Sequence, residues 1–202
     1  MTLADRAYEH VRGEILDGRL PVGSVIAEGT VADELGISKT PVRQALQTLR
    51  REGLLEVGPR RQVIVRGFSG EHRQEITDIR IALESLSVRR ACEVMTLEQI
   101  DHLRLLLIRQ KRTVDARDEE GFIELDEQFH LHIAEAAGMP IVERFLSQLR
   151  GFVRVMRLGT TRPPGHLREV LSEHEAIADL IEARRPARAE RALRDHLQRS
   201  DY

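Results

Sequence analysis

The sequence predicts a mainly α-helical protein, an N-terminal winged helix-turn-helix followed by an antiparallel all-helical bundle of about six helices. Three observations carry that expectation. Residues 1–66 run in the order helix, glycine turn, helix and short hairpin. From Glu71 onward apolar residues recur at helical spacing with almost no strand alternation. Between the two patterns Ser69-Gly70 supplies a hinge. The expected organisation is a first domain over residues 1–68, a linker at 69–71 and a helical domain over 72–202.

The first helix is marked by Leu3, Ala7, Val11 and Ile15 on one face and is stopped by Gly18 and Pro21. A short second helix ends at Gly36, where glycine readily takes the left-handed conformation of a tight turn. Ser38 is placed to cap a third helix over about residues 39–51, whose inward side is Val42, Ala45, Leu46 and Leu49. Leu54–Val57 and Gln62–Arg66 read as two strands joined at Gly58-Pro59. In the second domain the first helix carries Ile76, Ile79, Leu83 and Leu86. The next opens on the capping box Thr96-Leu97-Glu98-Gln99. A third places Phe122, Phe129 and Ile133 inward, and a fourth starts at Pro140 with Val142, Phe145, Leu149, Phe152 and Met156. After a loop over residues 159–165, the fifth presents Leu167, Leu171, Ile177 and Ile181. The sixth, started by Pro186, presents Ala189, Leu193 and Leu197.

Composition narrows the function classes. The 202 residues are 41% hydrophobic and 32% charged, which describes a globular protein, and no apolar run approaches the length of a membrane helix. The N-terminus carries no apolar signal core, and Cys92 is the single cysteine, so a reducing cytoplasm is expected. Net charge is −2, yet residues 37–66 hold seven Lys/Arg against two acids, a local excess of +5. That segregation suits a polyanion on one surface. Aromatics at 3% with no Trp argue against single-stranded nucleic acid, which is gripped by stacking, and leave duplex DNA as the better partner.

In a winged helix-turn-helix the later helix lies in the major groove. Ser38, Lys39 and Thr40 then sit at its leading end, where amides and short hydroxyls can hold a phosphate. Arg43, one turn on, can reach a guanine edge through its fork, and Arg60 and Arg61 stand at the hairpin tip. Taken singly, each is equally an ordinary solvated residue. The run Leu35-Gly36-Ile37-Ser38-Lys39-Thr40-Pro41-Val42-Arg43-Gln44-Ala45-Leu46, with Leu49 and Glu52-Gly53-Leu54, resembles the DNA-binding domain of the GntR family. The resemblance implies that Lys39, Thr40 and Arg43 are DNA-contacting positions with the wing tip near Arg60 and Arg61. Gly29, where members often carry a polar or basic residue, and Gln62, near the usual wing glycine, depart from the pattern.

Asp126 and His130 are four apart on one helix face, together with Phe122, Phe129 and Ile133. His174 lies within the apolar stripe of the fifth helix, and His196 sits beside Leu193 and Leu197 on the sixth. One buried histidine is ordinarily a hydrogen-bonded core residue. Three histidines and a carboxylate aimed at one core are better accounted for by a divalent cation, which compensates Asp126 and uses neutral imidazoles as ligands. His10, His72, His102, His132 and His166 lack that placement and are expected at the surface. Asp-x-x-x-His with two later histidines, Ile79-Arg80-Ile81-Ala82-Leu83-Glu84 and Ala136-Ala137-Gly138-Met139-Pro140-Ile141 together resemble the FCD ligand-binding domain of FadR-type GntR regulators, closest to the VanR-like branch. Met139 stands where members commonly have Asn.

That resemblance implies a metal held by Asp126, His130, His174 and His196, with zinc suited to the set and nickel or manganese as alternatives. A 2+ ion beside one carboxylate leaves a +1 centre, which favours a small organic acid as effector. Arg80 is a candidate for a second acidic group, with an ion pair to Glu84 as the equal alternative, and Arg154 and Arg157 are further candidates. The expected function is regulation of a double-stranded DNA operator, usually by repression, by a homodimer whose affinity the acid controls. A metal-responsive or structurally metallated regulator is the alternative. A metal-dependent hydrolase or lyase is disfavoured, since no acid/base partner is evident and the N-terminal domain would have no purpose.

Overall fold

The computed structural model describes residues 1–157 and 165–200; the side chains of Arg150, Arg157 and Ser200 are outside that description, as is most of the loop expected over 159–165. The described residues form two compact units. The first comprises Met1–Glu71 with the described part of Gly151–Gly159, and the second His72–Arg150 with the described residues beyond Thr160.

The first unit opens with α1 (Leu3–Leu16), started by a capping box in which Thr2 and Asp5 exchange side-chain and backbone hydrogen bonds. A strand β1 (Val25–Ile26) precedes α2 (Glu28–Leu35), which ends at Gly36 with φ +64, the left-handed turn expected there. Helix α3 (Lys39–Arg51) buries Val42, Ala45, Leu46 and Leu49. It ends in Gly53, whose φ is +79. Strands β2 (Leu55–Val57) and β3 (Val63–Val65) form the hairpin, and β1 adds antiparallel to β3, giving the order β1-β3-β2. Ala7, Val11 and Ile15 of α1 meet the buried side of α3, Val65 and Val155 in one apolar core.

The second unit is helical. It consists of α4 (Gly70–Val94), α5 (Leu97–Ala116), α6 (Glu119–Ala136), the first part of α7 (Pro140–Arg157), α8 (His166–Glu182) and α9 (Pro186–Ser200). Thr96 and Gln99 form the expected capping box of α5. The core draws Phe122, Phe129 and Ile133 from α6, Leu171, Ile177 and Ile181 from α8, and Leu193 and Leu197 from α9. Two faces differ from the sequence expectation. Ile79 and Leu86 of α4 are 41% and 53% exposed, while Arg80, Ile81, Glu84, Ser85 and Val88 face inward. On α7, Phe145 is 48% exposed and its neighbour Leu146 is buried. The inward face of α4 is shared between apolar side chains and the paired Arg80 and Glu84, so it is offset from the purely apolar stripe. Within the first unit, α7 contributes Val155 to the core, and Gly70 is already helical inside the segment read as a linker.

Candidate metal centre and nucleic-acid interface

All six residues expected to meet DNA, Ser38, Lys39, Thr40, Arg43, Arg60 and Arg61, are exposed. Ser38 holds the N-cap position of α3, but among the described residues its side chain makes no capping bond. The cause is local. A capping hydroxyl accepts from the second or third amide of the helix, and the third residue here is Pro41, which has no N–H. Arg43 projects from the exposed side of α3 against α2, where its Nε lies 3.0 Å from Glu28 Oε1 and a terminal nitrogen 2.8 Å from Oε2. Glu28 is the first residue of α2, where a carboxylate is favoured by the helix dipole. Its hydrogen bond to Arg43 holds its carboxyl below the usual range in spite of burial. The Lys39 side chain runs past Gly29, with Nζ 3.8 Å from where a Cβ would stand.

At the wing, Gly58 N–H donates to the Gln62 carbonyl at 2.8 Å and Arg61 N–H to the Gly58 carbonyl at 2.9 Å. Arg61 adopts φ +59, so the tip carries its second arginine in a conformation that side chains rarely take. The Gln62 amide folds over Gly58, 2.8 Å from a position that a Cβ would occupy. The departure from the family pattern at Gln62 therefore comes with its own packing partner.

In the second unit the four expected ligands converge. One ligand atom from each of Asp126, His130, His174 and His196 lies within 4.8 Å of all the others, and all four residues are buried. His196 Nε2 stands 3.2 Å from the Nε2 of both His130 and His174, and Asp126 Oδ1 is 3.5 Å from His174 Nε2. The helices supply them in order: α6 gives Asp126 and His130 one turn apart, α8 gives His174 and α9 gives His196.

A second layer stands behind the rings. His174 Nδ1 lies 2.9 Å from Gln110 Oε1, and the Gln110 amide is itself oriented by donating to the Leu125 carbonyl at 3.0 Å. His196 Nδ1 lies 2.8 Å from Glu173 Oε2, and His130 Nδ1 lies 2.6 Å from Glu84 Oε2. A hydrogen-bond acceptor at Nδ1 of His174 and of His196 favours the ring proton there and an Nε2 lone pair towards the centre, while His130 Nδ1 lies beside Glu84 without hydrogen-bonding it. Lone pairs and a carboxylate oxygen crowded in a dry core repel one another, and a cation at their focus turns that repulsion into coordination. Edges of 3.2 Å also match the spacing of ligands around an ion with bonds of about 2.0–2.1 Å. The residues present fit a divalent metal.

The surrounding charges are more evenly matched than the sequence suggested. Arg80 and Glu84 are paired in the core at 3.0 Å, so the ion-pair alternative for Arg80 is the one the structure contains. Burial would raise the Glu84 carboxyl, but the His130 ring and the Arg80 guanidinium outweigh it and hold it at about 2. Glu173 also contacts the exposed Arg199 at 3.1 Å. Burial lowers the pKa of His196, against its bond to Glu173, which favours the neutral, ligating ring.

Arg154 is not brought to this centre. Its Nε donates to the Leu16 carbonyl at 2.9 Å and it pairs with Asp17 at 3.2 Å, both within the first unit. The side chain of Arg157 lies outside the described residues. Among the remaining histidines, His132 departs from the surface expectation: half-buried, it stands 2.9 Å from the Gln99 carbonyl with its ring 4.5 Å from that of His102. Gln110, Glu173 and Glu28 were not legible as functional. Gln110 left a trace, a polar residue in register with Leu103, Leu106 and Leu107.

Comparison with known proteins agrees with both halves. Residues 3–65 match the family described as bacterial regulatory proteins, gntR family, and residues 75–199 match the FCD domain. The HTH-type transcriptional repressor RspR of Escherichia coli K12 is 28% identical over 95% of this chain and 84% of its own length. A probable D-xylose utilization operon transcriptional repressor of Paenarthrobacter nicotinovorans is 30% identical over 97% and 86%. The solved structure of E. coli McbR/YncC superposes with a TM-score of 0.85 at 26% identity, covering 98% of this chain and 94% of that one.

Proposed function

Because the chain belongs to the GntR family and carries an FCD domain, and is therefore a DNA-binding transcription regulator rather than an enzyme, we propose that it is a repressor controlled by a small organic acid at the Asp126, His130, His174 and His196 centre. The observation that carries this reading is the convergence of one ligand-type atom from each of Asp126, His130, His174 and His196, all buried and within 4.8 Å of one another. An effector that ligates the ion and prefers one arrangement of α6, α8 and α9 shifts the population that binds DNA. Two relatives named as repressors support that direction of control. Ser38, Lys39, Thr40, Arg43, Arg60 and Arg61 are the proposed DNA contacts. A homodimer reading paired half-sites of a double-stranded operator, acting in the cytoplasm, completes the proposal.

Charge now argues less for an acid than the ligands alone did. Around a 2+ ion and Arg80 stand three carboxylates, Asp126, Glu84 and Glu173, the last also paired with the exposed Arg199, so most of the positive charge is already matched without an effector. An acid would enter by taking an open coordination position, beside the buried Arg80–Glu84 ion pair. Zinc closes its preferred tetrahedron with four protein ligands, whereas nickel or manganese leaves positions open. That favours a second reading in which zinc itself is structural or is the signal.

The test measures binding of the full-length protein to duplex DNA after metal stripping, after adding back zinc, nickel or manganese, and then with citrate, lactate or gluconate. Acid-dependent release that requires the metal supports the first reading. Release on metal addition alone supports the second, and indifference to both removes control from the centre. In the same assay Arg43→Ala is expected to cost about 1–3 kcal/mol of specific binding.

A further inference from the structure

We propose that Glu28 is a specificity-determining positioning residue, an anionic rest that aims the Arg43 guanidinium at a base edge and weakens its attraction for phosphate. The inference rests on the assignment of Arg43 as a DNA-reading residue.

Arg43 is 61% exposed at its side chain, and a surface arginine on a recognition helix ordinarily samples many rotamers. Here both Nε and one terminal nitrogen are engaged by the two oxygens of a single carboxylate. A guanidinium has five N–H groups in a rigid plane, and this side-on grip takes two of them. What remains is the outer fork, formed by the two terminal nitrogens, which is the shape that matches O6 and N7 of guanine. Glu28 thus occupies the edge that does not read and leaves the edge that can.

The rest itself is held in place. Glu28 is the first residue of α2, anchored by the helix dipole, and α2 packs on α3. Gly29 beside it presents no side chain, and Lys39 occupies the space, bringing a second cation of α3 towards the same carboxylate. The family position that is often polar or basic has therefore become an opening for a residue of the recognition helix. Since nonspecific affinity comes almost wholly from charge on phosphate, a carboxylate between two reading cations lowers binding to arbitrary DNA more than binding to a matched base pair.

The test uses the full-length protein, a duplex selected by the wild type from a randomised pool, and a scrambled duplex of equal length. Glu28→Gln is expected to bind the scrambled duplex at least threefold more tightly and to reduce the selected-to-scrambled ratio about tenfold. Its logarithmic salt dependence on the scrambled duplex should steepen by about one, as Arg43 takes a phosphate. Glu28→Asp keeps the charge but shortens the reach, so its scrambled-duplex affinity should stay within twofold of wild type while the ratio still falls. Wild-type ratio and salt slope in both variants would overturn the proposal. Arg43→Ala separates the causes: if it abolishes the preference while both Glu28 variants are unchanged, Arg43 reads DNA without help. If it too keeps the full preference, the assignment of Arg43 fails as well.

Discussion

Gln110 never touches the focus of the four ligands, yet it governs one of them. Its carbonyl oxygen receives the His174 Nδ1 proton, and its amide is pinned by the Leu125 carbonyl, so both the orientation and the tautomer of the ring are set. Gln110→Leu is expected to weaken metal binding by about 10–100-fold in a chelator competition while the helical content persists. His196 makes a separate prediction. Burial holds its folded pKa below the ordinary imidazole range, whereas in the unfolded chain the ring gains its proton near 6.5. The unfolded state therefore binds more protons below that pH. Stability of the metal-free protein should be fully present above 6.5 and fall as pH drops from 6.5 towards the folded value, as read by urea unfolding between pH 7.5 and 5.5. His196→Gln should flatten the profile. The convergence of Asp126, His130, His174 and His196 was legible from spacing on apolar faces, but the residues around them were not. In sequence Glu84 reads only as a partner for Arg80, and Glu173 looks like a surface acid, because nothing local says that an imidazole stands opposite either.

At the scale of elements, the helix-turn-helix was legible almost to the residue, since α1 and α3 carry uninterrupted apolar stripes and glycines stand at their ends. Strand β1 was not, because two residues cannot show an alternation. The error on α4 is more informative. A stripe chosen by hydrophobicity runs through Ile76, Ile79, Leu83 and Leu86, but the buried one includes Thr77, Arg80, Glu84 and Ser87. Buried polar pairing overrides the apolar pattern there, since Glu84 lies against both Arg80 and His130. Gly36 and Gly53 offer a matched pair for testing turn chemistry. Both have positive φ, but a Cβ at Gly36 meets nothing within 4 Å, whereas one at Gly53 would stand 3.0 Å from the Phe152 ring. Gly36→Ala is expected to cost about 1–2 kcal/mol from backbone strain alone. Gly53→Ala should cost more, measured as the difference in denaturant midpoint.

For the molecule as a whole, an ion at Asp126, His130, His174 and His196 would tie helices that are distant in sequence within a unit whose core they share. Metal stripping is therefore expected to lower the melting temperature of the helical unit, and adding back 100 times the dissociation constant should restore about 2.7 kcal/mol. The first unit contains none of the four residues, so its transition is expected to move less than that of the helical unit when the two are resolved by calorimetry. Equal shifts of both transitions would place the stabilisation outside the cluster. The two-part plan was legible because composition changes at Ser69-Gly70. What could not be read was that α7 lends Val155 to the core of the first unit, a pairing that spans most of the intervening chain and leaves no local mark.

The order of the ligands along the chain has a consequence for biosynthesis. Asp126 and His130 emerge from the ribosome first, His174 follows, and His196 arrives on the last helix described. A nascent chain halted before α9 lacks one of the four residues. A metal held by the full set would therefore be retained firmly only by a chain translated through α9.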